Sequence, residues 1–593
     1  MAIAGCIALL LYGFTAFQSA QSCPTCDANF ARLTKQGMER MDRDMRGAPM
    51  TGNPDLDFAA MMIPHHQGAI DMAQAELLYG KDPVLRRMAQ EIIVTQQAEI
   101  EVLQARTKAL ARARDEPPKK PATDPGPKAR GSEKVGVPMS GRDRVYTADQ
   151  TSNTVSVIDP ATNKLLGVLF LGAPSPTVLT PLYKGALLVH GLGYSPDHRT
   201  LAVVSIGSNS VTLIDTATNK VKGTVYVGRS PHEAFFTPDG KELWVAVRGE
   251  DYIAVLDPTA LKEVRRIQTA NGPGMVLFRP DGRYAFVPSS FTPELDVIET
   301  ATYKVVARVK QASPFSPNLA ISPDGAEVWF TLKDTGKSQV ISAEPPFQTL
   351  ATLDTGPITN HVVLLDNAKG RFAYVTVGSL NEVKVFQRNG AEPKLVTTIP
   401  VGEAPHGIWP SGDGSRVYIG MENGDKVQAI DTETNKVVAT ISVGQAPQAL
   451  VYVSNAVPKG TGEEGLKQLA EATAPLVVTL DPSDKTKAKG AVVIRTIGLV
   501  DQLQLTLSGL KPDQEYDLIL SEQVAPPYGN VHTLTSVKTD PDGKATGQAL
   551  GPIRKIVTGS TDALKQNAGE RRHLILVLRG TPKAPPVLVE KRQ

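Results

Sequence analysis

Residues Asp57 to Ala73 read Asp-Phe-Ala-Ala-Met-Met-Ile-Pro-His-His-Gln-Gly-Ala-Ile-Asp-Met-Ala, which puts three methionines, two adjacent histidines and two aspartates into seventeen residues. On a helix, at about 100° per residue, Asp57, Met61, His65, Gly68 and Met72 share one stripe. Phe58, Met62, His66, Ala69 and Ala73 form a second stripe beside it. Thioethers and imidazoles are soft to borderline donors and suit Cu(I) or a similar ion, whereas carboxylates alone would suit harder ions. The expected ligands are Met61, His65 and Met72, joined by His66, Met62 and the Met38, Met41, Met45 face. Asp57 and Asp71 would orient the imidazoles from behind. Pro64 removes one backbone hydrogen bond and is expected to kink the helix just before the histidines. The competing reading is packing, because methionine at helical spacing is more often core filler than ligand.

The surrounding chain supplies helices to hold this stretch. Phe30 to Met45 reads as a first helix, with Phe30, Met38, Met41 and Met45 close to one face. Gly52-Asn-Pro54 breaks the chain, and Asp55 is the expected N-cap of the second helix. Gly80 ends that helix. Asp82 and Pro83 open a third, whose inner face is expected to be Leu85, Met88, Ile92, Gln96, Glu99 and Leu103. Eight of the twelve methionines lie between Met38 and Met88. Three helices with one apolar stripe each make a small core, so pairing of two copies through this unit is expected. "DFAAMMIPHHQGAIDMA" followed by "DPVLRRMAQEIIVTQQAEI" resembles the DUF305 family over roughly residues 30–105. The resemblance implies a ferritin-like helical bundle and an association with copper.

At 593 residues the chain is too long for one ordinary domain. A net charge of +2 implies no general attraction to nucleic acid. Low aromatic content with 50 Gly and 45 Pro suits a turn-rich β protein. The apolar run Ala2 to Phe17 reads as the core of a signal peptide spanning 1–22, although no Lys or Arg precedes Arg32. Export to the periplasm or beyond is therefore expected, and there Cys23 and Cys26 default to a local disulfide.

After the helical module (27–113) comes a Pro-rich charged tether (114–142), expected to be extended and semi-rigid. Residues 143–457 are repetitive. "VTLIDTATNKVKGTVYVG", "IAVLDPTALKEVRRIQ" and "VQAIDTETNKVVATISVG" are variants of one unit, and Asp215, Asp257 and Glu299 are spaced 42 apart. "FTPDGKELWVAV" and "ISPDGAEVWFT" repeat a strand, an Asp-Gly turn and a strand. Four strands per repeat make a β-propeller blade. Starts near Gly185, Arg229, Pro273, Pro314, Pro357 and Glu403 give six blades. A seventh is split between Arg144–Gly172 and Gln445–Asn455. The region resembles the YVTN family of seven-bladed propellers, whose members serve as binding modules, lactonases or redox sites.

His190, His232, His361 and His406 each precede their turn residue by six or seven positions, so they should ring one mouth of the channel. They are a candidate second metal site. The plainer reading is that Pro-His simply starts inner strands of this repeat. Arg229 and Arg248 lie near that mouth. No nucleophile–base pairing stands out.

Residues 474–593 alternate as strands. "LSGLKPDQEYDLIL" resembles the tyrosine-corner segment of fibronectin type III-like domains, which implies a β-sandwich with Tyr516 at the corner. His532 and His573 read as structural. The expected architecture is thus multidomain and mainly β: a ferritin-like helical bundle, a seven-bladed propeller and a sandwich. The expected function is copper sequestration or delivery in the cell envelope, with the propeller docking a protein partner. The alternatives are a lactonase-like or redox propeller enzyme and an envelope interaction protein.

Overall fold

The computed structural model describes residues 24–82, part of 85–110, 138–172, 186–469, 475–484, 486–497, 500–551, 553–558, 572–581 and 584–591. The leader, Cys23 and most of the tether lie outside the described residues. The chain forms two compact units, the first ending at Ala122.

In the first unit, helix α1 runs Pro24–Arg46 and helix α2 runs Pro54–Tyr79. The N-cap of α2 is Asn53 rather than Asp55, because the Asn53 side chain accepts from the Asp55 and Leu56 N–H groups and Pro54 takes the first helical position. Pro64 sits inside α2, and the helix continues through it. Met41 seats on Gly68, where an added Cβ would fall 2.6 Å from the Met41 sulfur. The third helical segment starts on Asp82, whose carboxylate accepts from the Leu85 N–H. Its inner face differs from the expected one. Ala89 and Ile100 are buried while Leu85 and Met88 are exposed. Arg86 turns towards α2, donating to the Leu77 and Gly80 carbonyls, and this rotates its neighbours outwards.

The second unit contains seven four-stranded antiparallel sheets arranged as a propeller, with blade starts where the repeat puts them. Turn chemistry explains the regularity. Gly240, Gly282, Gly325 and Gly414 take φ between 66° and 73° in the Asp-Gly hairpins, the left-handed region that costs glycine least. In the outer turns Asp215, Asp257 and Asp431 accept from backbone N–H groups two or three residues on. Asn163, Asn219 and Asn435 close those turns in the left-handed region.

The split blade closes the ring. Pro447–Val453 pairs with Arg144–Asp149, with Val145 opposite Tyr452. Buried Asp143 fastens the join by accepting from the Tyr452 hydroxyl, the Asn455 N–H and the Ser140 N–H. A clasp follows. The Val457 N–H donates to the Arg142 carbonyl, Arg144 to the Thr461 carbonyl, and Lys467 exchanges both backbone bonds with Val168. Asn219 donates to the Gly462 and Glu464 carbonyls. Asp143→Ala strands the Tyr452 hydroxyl in the interior and releases the Asn455 N–H, so it is expected to cost about 3 kcal/mol in chemical denaturation of the propeller.

Residues beyond 475 form a single eight-stranded sheet, not two packed sheets. In its hydrogen-bonded order the sheet runs from His532–Lys538 at one edge to Ala545–Gly551 at the other. Those edge strands are joined by a short turn, which rolls the sheet towards a barrel around Leu480, Val492, Leu505, Leu518 and Leu576. Tyr516 is buried in that core and bonds the Lys511 backbone. His573 Nδ1 lies 2.8 Å from Glu590.

Candidate functional site

The sequence pointed to two places, and the helical unit is the first. His65 and Met61 are exposed, and Met62 and Met72 are half-buried. His66 is buried, and its ring centre lies 5.8 Å from that of His65. The His66 Nε2 lies 2.9 Å from Glu99 on the third helical segment, so Nε2 carries the proton. That leaves Nδ1 as a bare lone pair, buried and without a partner. Asp57 and Asp71 do other work. Asp57 accepts from the Thr51 N–H, the Thr51 hydroxyl and the Gly52 N–H, which tie down the loop ahead of α2. These bonds hold its carboxyl below the usual range, the Thr51 backbone bond most of all. Asp71 pairs with Arg40 and accepts from Gln67. The carboxylate that orients a histidine is therefore Glu99. Its signal was two polar residues, Gln96 and Glu99, on an expected inner face that is otherwise apolar.

The methionines divide into two groups. Met41 and Met45 are half-buried on α1. Met38, Met61 and Met88 are 48%, 38% and 41% exposed, which core filler is not. Among the described residues, no three His, Cys, Asp or Glu side chains come together as a ready metal shell. An ion held here would need sulfur donors beside the imidazole. The donors present fit a soft ion better than a hard one.

The second place is the propeller axis. The inner strands carry an extra residue near their starts: Pro231 pairs with Val247 but Ala234 with Val245, and the strands of His190 and His406 slip in the same way. A bulge of this kind re-aims side chains. All four histidines are buried. The His232 Nδ1–H donates to the Gly274 carbonyl at 2.6 Å, and the His406 Nδ1–H to the Gln448 carbonyl at 3.1 Å. Each is a latch to the next blade. His232 Nε2 is then an acceptor, and His190 Nε2–H donates to it at 2.8 Å. The ring centres of His361 and His406 are 4.7 Å apart.

His361 is out of phase with the other three. It occupies the position after the latch, where the blades of the other three histidines have Gly191, Glu233 and Gly407. Asn318 Oδ1 accepts from the Val362 N–H, so its amide nitrogen faces His361 Nδ1 at 3.3 Å. His361 Nδ1 therefore accepts, and the ring proton sits on Nε2, which is buried without a partner. Burial lowers the basicity of all four rings. His190 falls to about 3, and the others fall well below 6.5.

Beyond the histidines the axis opens into a cavity of about 360 Å³, walled by all seven blades. Its wall includes Tyr194, Phe235, Met275, Leu319, Ile408 and Trp409. Phe235 and Trp409 lie nearly parallel, at 11°, with ring centres 6.2 Å apart. Buried Glu233 is also in the wall. Burial pushes its carboxyl up to about 8, although the Leu192 backbone bond opposes this. Arg248 stacks over Phe291 and Phe315 near the histidine mouth.

Among known folds, a hydrazine synthase chain of Kuenenia stuttgartiensis is similar at 21% identity and a TM-score of 0.41, over 44% of this chain and 89% of that one. A periplasmic gluconolactonase of Pseudomonas aeruginosa is similar at 20% identity and a TM-score of 0.42, over 53% of this chain and 99% of its own. A functionally unknown Desulfotomaculum acetoxidans protein is similar at 13% identity and a TM-score of 0.45, over 52% and 98%. No curated protein matches. Residues 18–107 match the family described as a domain of unknown function, DUF305, and residues 194–457 match the family described as YNCE-like beta-propeller. With two helices inside the first match and the second match lying within a closed seven-bladed ring, the chain carries an N-terminal DUF305 domain followed by a YNCE-like β-propeller.

Proposed function

We propose that the DUF305 domain binds a soft metal ion of the Cu(I) type, which the protein sequesters or hands on in the cell envelope. One observation carries the reading. The His66 Nδ1 lone pair is buried and unpartnered, while Glu99 fixes the ring through Nε2. A carboxylate behind an imidazole sets its tautomer and raises its strength as a ligand. Methionine sulfurs from the Met38–Met72 set would complete the shell, with exposed Met61 and His65 as the point of entry. Export rests on the apolar run Ala2 to Phe17.

The test is Cu(I) titration of the full chain under reducing conditions with a competing chelator. His66→Ala is expected to lower affinity about 100-fold and Glu99→Gln about 10-fold, both with helicity unchanged. Unaltered stoichiometry and affinity in His66→Ala would sink the proposal. A second copy covering exposed Met38, Phe58 and Met61 is the competing explanation for those side chains. It predicts a dimer by sedimentation that copper does not change.

A further inference from the structure

We propose that the axial cavity of the propeller binds a small uncharged molecule bearing a carbonyl oxygen, with His361 Nε2–H as its donor and the Phe235–Trp409 pair as its apolar wall. The cavity of about 360 Å³ is the size of ordinary small-molecule sites. Its lining is mostly aromatic and aliphatic, so it takes an apolar body. No Lys, Arg or Asp is among the described residues that line it, so nothing there would pair with an anion.

The polar end is what selects the ligand. Three of the four histidines have already spent their N–H, two as latches to the next blade and His190 on His232, so none of the three has a donor to offer. His361 is different. Asn318 fixes its tautomer, and its Nε2–H is left buried with no acceptor in the protein. A buried donor left unsatisfied costs free energy, and a carbonyl oxygen that reaches past the His361 side chain, which lines the cavity, recovers it. Glu233 is the one carboxyl in the wall. Its neutral form fits an uncharged ligand and leaves no fixed charge to attract a cation.

The experiment uses the full chain and prodan, a neutral naphthyl ketone whose emission reports both the polarity around it and a hydrogen bond to its carbonyl. The three tryptophans, Trp244, Trp329 and Trp409, all lie in the propeller, and Trp409 is in the cavity wall. Binding should therefore quench tryptophan emission saturably. His361→Leu is expected to weaken binding about tenfold and abolish the carbonyl shift in prodan emission. His361→Gln, which keeps an amide donor, should stay within about threefold. Should His361→Leu fail to fold by circular dichroism, Trp409→Leu provides the same reading, through loss of both affinity and quenching. Prodan binding that ignores His361 and Trp409 would overturn the proposal. So would tighter binding of an anionic naphthyl sulfonate, or no saturable quenching at all.

Discussion

Acidification from pH 6.5 to pH 4 is expected to unfold the propeller. His190, His232, His361 and His406 are buried and neutral, and burial holds each below the 6.5 of a free imidazole, His190 as far as about 3. Below pH 6.5 the unfolded chain therefore binds protons that the folded chain refuses. Stability from these groups is present above 6.5 and drains as the pH falls towards 3. Asp149 and Glu233 act with the opposite sign. Burial raises both to about 8, from 3.8 and 4.5 in the unfolded chain. Their contribution is complete below those unfolded values and is lost as the pH rises through 8.

Each unmatched proton changes stability by about 1.4 kcal/mol per pH unit. Between pH 4.5 and 6.5 four imidazoles against two carboxyls leave about two unmatched protons, and above 6.5 the two carboxyls alone leave about two of the opposite sign, so the limbs are about equally steep and stability should peak near pH 6.5. Calorimetry across pH 4 to 8.5 tests this. His232→Gln should flatten the acid limb by about one proton. A melting temperature that stays level from pH 7 to pH 4.5 would contradict the account.

Gly193→Val is expected to cost more than about 4 kcal/mol, enough to prevent folding of the ring. A Cβ at Gly193 would lie 2.0 Å from the Ala234 carbonyl oxygen, and one at Gly191 would lie 2.1 Å from the His232 carbonyl oxygen. Both clashes are with the backbone of the next blade, so no rotamer change relieves them. Gly141→Ala is the control. Its Cβ meets nothing within 4 Å, and the change should stay within about 0.5 kcal/mol. Urea titration of both variants checks the pair. Near-native stability in Gly193→Val would show that the blades can separate at the axis.

The propeller was legible because its signal is periodic and local. A turn residue every 42 positions and an Asp-Gly hairpin in most blades fix strands, blade count and split closure together. The histidine mouth was half legible. That the imidazoles start inner strands follows from spacing, and so does the shift of His361, which stands six positions before its turn residue where the other three stand seven. What spacing leaves out is the bulge that aims the rings, which is defined only by the pairing of the neighbouring strand. The rolled C-terminal sheet was hidden for a related reason. Alternating residues reveal a strand and its buried face, but not which strand lies beside it. In the helical domain, helix α2 is singled out as the candidate by the spacing around Met61 and His65. The buried histidine proved to be its neighbour His66, and the carboxylate behind it comes from another helix. Contacts between helices are what sequence spacing within one helix cannot carry.

The split blade also decides how the molecule bears tension. Arg144–Asp149 and Pro447–Val453 are antiparallel, with Arg144 opposite Val453, so the chain enters and leaves the ring at the same end of one ladder. A pull on the two flanks would peel that ladder open one hydrogen bond at a time, the weakest loading direction for a sheet. The clasp stands in the way. The departing chain is tied to Arg142, Arg144, Val168 and Asn219 before it leaves the propeller. These bonds take the load first, so the segment Val457–Lys467 works as a strain relief for the ring's only seam among the described residues.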